Sequence, residues 1–229
     1  MTLAATAADY SWWRTWHPEW AEAHCVTLIS DIAAEDVIRS LGATIRASVR
    51  GIDALCELAV EHWPQGYDPS RAVIGVTEID RRWTLIAEIN GFVGVTERLI
   101  GPMSAGRTIV SHFSNINAVH RFHWWRDGRL LVDFDLLFPA ERFGADPAAL
   151  SDDIREVGLP LETDPDDLAG IDFHAAGFAL AERITEVACT PDLFERSDFL
   201  VADVAIPSGE EQQRYGEALR ATWGHPATW

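Results

Sequence analysis

The dipeptide Asp127-Gly128 does most to limit what this chain can fold into. Both central residues of a two-residue type I′ turn need positive φ, and Asp-Gly is among the few pairs that take it at little cost. The flanking residues, 119–126 and 129–138, are rich in aromatic and β-branched side chains, so the dipeptide predicts a hairpin. A second hairpin is expected from 72–79 and 83–89, joined across Asp80, Arg81 and Arg82. Strands joined by turns this short are antiparallel, because a parallel pair needs a crossover of a dozen or more residues. Further strands are expected at 25–29, 108–113 and 199–206.

Helical spacing lies around these strands. Trp12, Trp16 and Trp20 recur every four residues, with Trp13 beside them and Pro18 placed to open a second short helix. Helices are expected at 34–41, stopped by Gly42, at 52–63, stopped by Pro64 and Gly66, and at 95–103, 147–157 and 173–188. Thr190-Pro191 starts another, with the threonine as cap. Hairpins in the middle with helices before and after predict an α+β fold. Its mostly antiparallel sheet has about six to seven strands and is covered on one face by helices. The expected boundaries are a single domain over 10–206 and a C-terminal helical tail over 207–229 packed on it.

Charge restricts the partners. The net charge is −18, with 36 acidic residues against 18 basic ones, so phosphate backbones and anionic lipid surfaces are repelled. The expectation is therefore no nucleic acid and no membrane. Every basic residue is arginine; without lysine, neither a P-loop nor a pyridoxal Schiff base is available in its usual form. Cys25, Cys56 and Cys189 are far apart, odd in number and without a CxxC pair, which fits reduced, buried thiols in a cytoplasm. The first ten residues lack a signal-peptide pattern, and no segment approaches the ~20 apolar residues of a membrane span.

The runs Cys25–Ile29, Glu35–Gly42, Glu88–Phe92, Leu99–Gly106, Ser114–Asn117 and Phe134–Pro139, in this order and spacing, resemble a family of uncharacterised actinobacterial proteins known only as a domain of unknown function. The resemblance spans roughly residues 11–195 and implies no activity. The chain departs from it at Ala33, where the family tends to place a Ser or Thr helix cap, a change worth about 1 kcal/mol of local stability.

No GxSxG, HExxH, GxGxxG, EF-hand or paired-cysteine zinc pattern occurs. Counting outward from the turn puts His120 opposite Asp135 and Phe122 opposite Asp133, so His120, Asp133 and Asp135 are expected on one face, with Arg121, His123 and Trp125 on the other. A histidine between carboxylates serves as a general base or a metal ligand, and Asp-Phe-Asp is similar to the DxD segments of sugar-nucleotide transferases. The same pattern also describes the solvated face of a half-buried sheet. Glu88 and Asn90 on one turn, with Asn115 and Asn117 on another, line a small polar pocket if both turns share a sheet end; asparagines also suit turns for purely local reasons. His62, His112 and His174 read as scattered, lone histidines.

Residues 141–172 hold ten carboxylates against only Arg142 and Arg155. Asp164, Asp166 and Asp167 are the candidate contacts for a basic protein partner, because uncompensated carboxylates steer a cationic surface. The expected function is a non-catalytic cytoplasmic protein-binding domain, monomeric or homodimeric, such as an immunity protein for a basic toxin, with no cofactor or metal. The alternatives are a small-ligand sensor or metal-dependent enzyme using the His120 face, and a scaffold domain in a larger assembly.

Overall fold

The computed structural model describes residues 4–61, 68–161 and 170–223. Its centre is one antiparallel sheet of eight strands: β1 (His24–Ser30), β2 (Thr44–Arg50), β3 (Arg71–Glu78), β4 (Trp83–Ile89), β5 (Thr108–Ser114), β6 (Arg121–Arg126), β7 (Arg129–Asp135) and β8 (Asp198–Ala205). Their spatial order is β2-β8-β3-β4-β1-β5-β6-β7, and each neighbouring pair is antiparallel. Nine α-helices occur among the described residues: α1 (Trp13–Trp16), α2 (Pro18–Glu22), α3 (Ala34–Ser40), α4 (Ile52–Glu61), α5 (Glu97–Met103), α6 (Ser151–Glu156), α7 (Phe173–Thr185), α8 (Pro191–Arg196) and α9 (Gly209–Ala221). None is long and apolar enough to cross a membrane.

Two expectations need correction. The sheet has eight strands, not six or seven; the additional one is β2, whose sequence carries two arginines and whose side chains are mostly exposed. Backbone pairing to β8 holds it there, and Arg46 and Arg50 reach Asp203 and Asp198 across that pair. Helices also cover both faces of the sheet, not one. One core joins Val26, Leu28, Val110, Phe122 and Phe199 to Phe178 and Leu180 of α7 and Phe194 of α8. The other joins Ile29, Ile74, Ile86, Ile109 and Trp125 to Val37 of α3 and Ile100 of α5. Strands β1, β3 and β4 bury nearly every residue along their length. Continuous apolar runs of this kind belong to strands packed on both sides.

The ends of the elements follow local chemistry. Pro18 separates α1 from α2, and Trp13 and Trp20 are the indoles that go fully inside. Trp20 Nε1 donates to the Glu88 carbonyl at 2.8 Å. Ala33 offers α3 no side-chain cap, but the Glu78 carboxylate accepts from the Ala34 amide at 3.0 Å and so satisfies another of the helix's free first-turn donors. Thr190 caps α8 by accepting from Leu193 N. Beyond the sheet, α9 packs on α5.

Asp127 (φ 50°) and Gly128 (φ 76°) form the expected turn, closing on the Arg126–Arg129 pair. A Cβ at Gly128 would meet nothing within 4 Å, so only backbone strain opposes a side chain there. Gly128→Val is therefore expected to cost about 1–2 kcal/mol in chemical denaturation. An unchanged midpoint would show that the turn relaxes to another conformation at no cost.

Candidate functional site

The register of the β6–β7 hairpin breaks one step after Trp125. Trp125 pairs with Leu130 but Trp124 with Val132, leaving Leu131 as the extra residue of a bulge. Asp133 consequently faces His123, and Asp135 faces Arg121. The expected His120–Asp133–Asp135 face does not form. Asp133 sits with Arg121 and His123, the residues assigned to the opposite face, because a one-residue slip exchanges the two faces of a strand. Arg121 grips Asp133 at 2.8 and 2.6 Å, and His123 Nε2 lies 3.1 Å from the same carboxylate. Despite its burial, Asp133 is held far below the usual carboxylate range by His123 and Arg121. Asp135 instead accepts from the His120 and Leu137 amides, at 3.2 and 2.9 Å.

His120 belongs to a different cluster, one that the sequence spacing did not bring together. The antiparallel register puts His24 opposite Ser114 and Val26 opposite His112, so all three polar side chains share the face beneath α7. His120, just before β6, and His174, in the first turn of α7, complete the layer. Ring centroids lie 4.9 Å apart for His24–His112, 5.5 Å for His24–His174 and 5.0 Å for His120–His174. Phe178 stacks on His24 and meets His112 edge-on. His112 and His174 are therefore not lone side chains.

Ser114 Oγ stands 2.8 Å from His120 Nδ1 and 3.0 Å from His174 Nε2. Arg14 Nη2 approaches His174 Nδ1 at 3.4 Å. A guanidinium only donates, so that nitrogen accepts and the His174 proton sits on Nε2. It donates to Ser114 Oγ, and the serine hydrogen passes to His120 Nδ1. Burial pushes His24 and His112 well below the ordinary histidine value, and their neighbouring imidazoles add to the shift. Burial, together with His120 and Arg14, takes His174 down to about 4, and His120 is lowered by burial. The layer is neutral at pH 7. Among the described residues, His112 has no hydrogen-bond partner on either ring nitrogen and His24 has none on Nε2.

Ser114 beside His120 has nucleophile–base spacing, but the serine is 1% exposed. Its other neighbour, His174, donates a proton to it rather than taking one. Among the described residues, no group of three or more His, Cys, Asp or Glu side chains is placed to hold a metal ion.

The asparagine turns do share one sheet end, since β4 and β5 both finish beside the start of β1. Their polar groups are used locally. Asn90 takes φ 48° in its turn, while Asn115 Oδ1 accepts from the amides of Asn117 and Val119. Glu88 is 1% exposed, and its two oxygens accept from the Val93 and Gly94 amides at 2.9 and 3.0 Å. Burial pushes its carboxyl up to about 7 against those two bonds. Cys25, Cys56 and Cys189 are all buried, and burial raises each thiol.

Asp164, Asp166 and Asp167 lie outside the described residues, as does His62. The described part of the acidic stretch runs along the outer edge of β7. Phe143 exchanges backbone hydrogen bonds with Asp133, and the amides of Ala145 and Asp146 donate to Leu130 and Leu131. Phe138 is 54% and Phe143 40% exposed, while Glu141, Asp146, Asp152 and Glu156 are exposed carboxylates on the same segment.

A family model described as a family of unknown function, DUF6461, matches residues 3–208. No curated protein and no solved structure matches the chain.

Proposed function

The chain belongs to the DUF6461 family, and we propose that it is a cytoplasmic, non-catalytic protein-binding domain, monomeric or homodimeric, for a basic partner such as a toxin. The observation that carries this reading is the segment along the β7 edge, where exposed Phe138 and Phe143 stand among exposed carboxylates. Apolar anchors within a charged rim are the usual anatomy of a protein interface, and the rim sets the sign of the partner. The backbone bonds to β7 fix this segment in place, so little ordering is needed on binding. The polar clusters elsewhere are turned inward: Asp133 to Arg121 and His123, Glu88 to two amides, and Ser114 to two histidines. The buried thiols suit a reducing compartment, and the charge of −18 disfavours nucleic acid.

The test is capture from the native host followed by association kinetics at low and physiological salt. A basic partner should associate several-fold faster at low salt, where charges are less screened than at the physiological Debye length of ~8 Å. Replacing Asp164, Asp166 and Asp167 with Asn should slow association and leave the melting temperature nearly unchanged. Phe138→Ser with Phe143→Ser should speed dissociation. A captured partner that binds both variants at the parent rates removes this surface as the interface.

A further inference from the structure

A chain with two carboxylates for every guanidinium has ample acid to pair its arginines, and most of them are paired, from Arg14 with Asp172 to Arg220 with Glu97. Among those without a carboxylate in ion-pair distance among the described residues, such as Arg82, Arg126 and Arg142, two converge on one place: Arg98 and Arg107. Both line one groove of about 660 Å³ between α5, the end of α3 and the link from β8 to α9. Leu99, Met103 and Ile206 belong to the apolar part of its lining. Arg98 lies over the Tyr215 ring, 5.7 Å from its centroid. Arg107 is half-buried and held in orientation by carbonyls alone: Nε donates to Asp31 O at 3.3 Å, and Nη1 to Met103 O and Ala105 O at 3.2 and 3.3 Å. Its Nη2 hydrogens have no partner among the described residues. The carboxylate of Glu211 also lines the groove, but its Oε2 accepts from the amide and hydroxyl of Ser208 at 2.9 and 2.7 Å, closing the cap of α9.

We propose that this groove binds a small amphipathic anion, a carboxylate or phosphate carrying an apolar chain, with the head group on Arg107 and Arg98 and the chain along Leu99, Met103 and Ile206. A planar guanidinium already oriented by three carbonyls offers its remaining N–H edge to an oxyanion with little entropy left to lose. The groove volume falls in the range of small-molecule sites, which are mostly apolar with a few placed polar groups. The net charge of −18 sets a further requirement. The surrounding field repels a free inorganic anion, so the apolar chain has to supply much of the affinity. The proposal is independent of the protein-binding reading, whose surface lies on the β7 edge.

The experiment is titration calorimetry of the full chain with octanoate, octyl phosphate, octanol and inorganic phosphate. Octanoate or octyl phosphate should bind saturably, the tighter of the two identifying the head group. Octanol should bind at least about tenfold more weakly, the difference one charge-assisted pair makes. Arg107→Gln should weaken the preferred anion about tenfold and leave octanol unchanged. Arg107 also ties down the last carbonyls of α5, so Arg98→Gln, which breaks no backbone contact, serves as the second variant and should act in the same direction. Octanol binding as tightly as the anions, inorganic phosphate matching octyl phosphate, or both variants retaining parent affinity would each overturn the proposal. So would the absence of saturable binding by either amphiphile.

Discussion

Acidification from pH 7 to 5 is expected to remove several kcal/mol of the protein's stability, well above the pH at which ordinary carboxylate pairs are lost. His24, His112 and His174 are neutral in the fold, with His174 down to about 4, whereas a solvated histidine titrates near 6.5. Each has its folded value depressed, so the unfolded chain takes up a proton that the fold refuses. Their contribution to stability is complete above about 6.5 and falls as the pH drops from there toward 4. The charged groups around the layer, Arg14, Asp172 and Asp135, oppose one another and do not remove the burial that sets the direction. Glu88 works the other way: its folded value of about 7 lies above the ordinary 4.5, so the fold holds a proton there that the unfolded chain releases, and acid stabilises it. Three histidines against one glutamate leave a net uptake of about two protons on unfolding, and His120 at the rim adds part of a third. That corresponds to roughly 3–4 kcal/mol lost per pH unit, against a total stability of about 5–15 kcal/mol. Denaturant midpoints at a series of pH values measure it directly. His112→Leu should flatten the dependence by about one proton. A stability constant between pH 7 and 5 would contradict the neutral layer.

Gly94→Ala is expected to destabilise by about 3 kcal/mol, the sum of overpacking and of a buried carboxylate losing its donors. The glycine lies in a short 3₁₀ turn, Val93–Val95, seated on the middle of the sheet. A Cβ there would stand 1.9 Å from Thr27 Oγ1 and 2.7 Å from Cys25 Sγ, on a strand paired on both sides that has no room to yield. The turn has to lift, and the amides of Val93 and Gly94 lift away from Glu88 with it. At this chain length the loss corresponds to a melting temperature lower by about 10 °C. Gly209→Ala is the control, since a Cβ there meets nothing within 4 Å. Equal melting of the two variants would mean that the turn is not seated as described.

Most strands were legible because their chemistry is local. Asp127-Gly128 fixed one turn, and uninterrupted apolar runs marked β1, β3 and β4; read more strictly, those runs also announce burial on both faces. Strand β2 carried no such mark: Thr44–Arg50 is an edge whose place is decided by β8, about 150 residues later. The bulge at Leu131 was equally silent, since nothing in its sequence says that the count shifts by one, and it moved Asp133 to the other face. The histidine layer draws on four separate elements, so spacing along the chain could not assemble it. Phase held a partial signal: His24 is in step with Val26 and Leu28, His112 with Val110, and His120 with Phe122 and Trp124, all on the side facing the α7 core. A histidine in step with inward apolar residues predicts burial, though not its company.

The insertion of β8 between β2 and β3 has a consequence during synthesis. As the chain leaves the ribosome, β1 finds β4 and then β5, and the six strands from β3 to β7 can assemble in order. Strand β2, made early, has nothing to pair with until Asp198–Ala205 emerges. Until then β3 is a bare edge and β2 a loose arm bearing its arginines. Closure depends on the last strand threading into a gap between two that were made long before. Non-local pairing of this kind folds slowly, and exposed edges invite pairing with other chains. A nascent chain stalled before residue 198 is thus the form of this protein most in need of a chaperone.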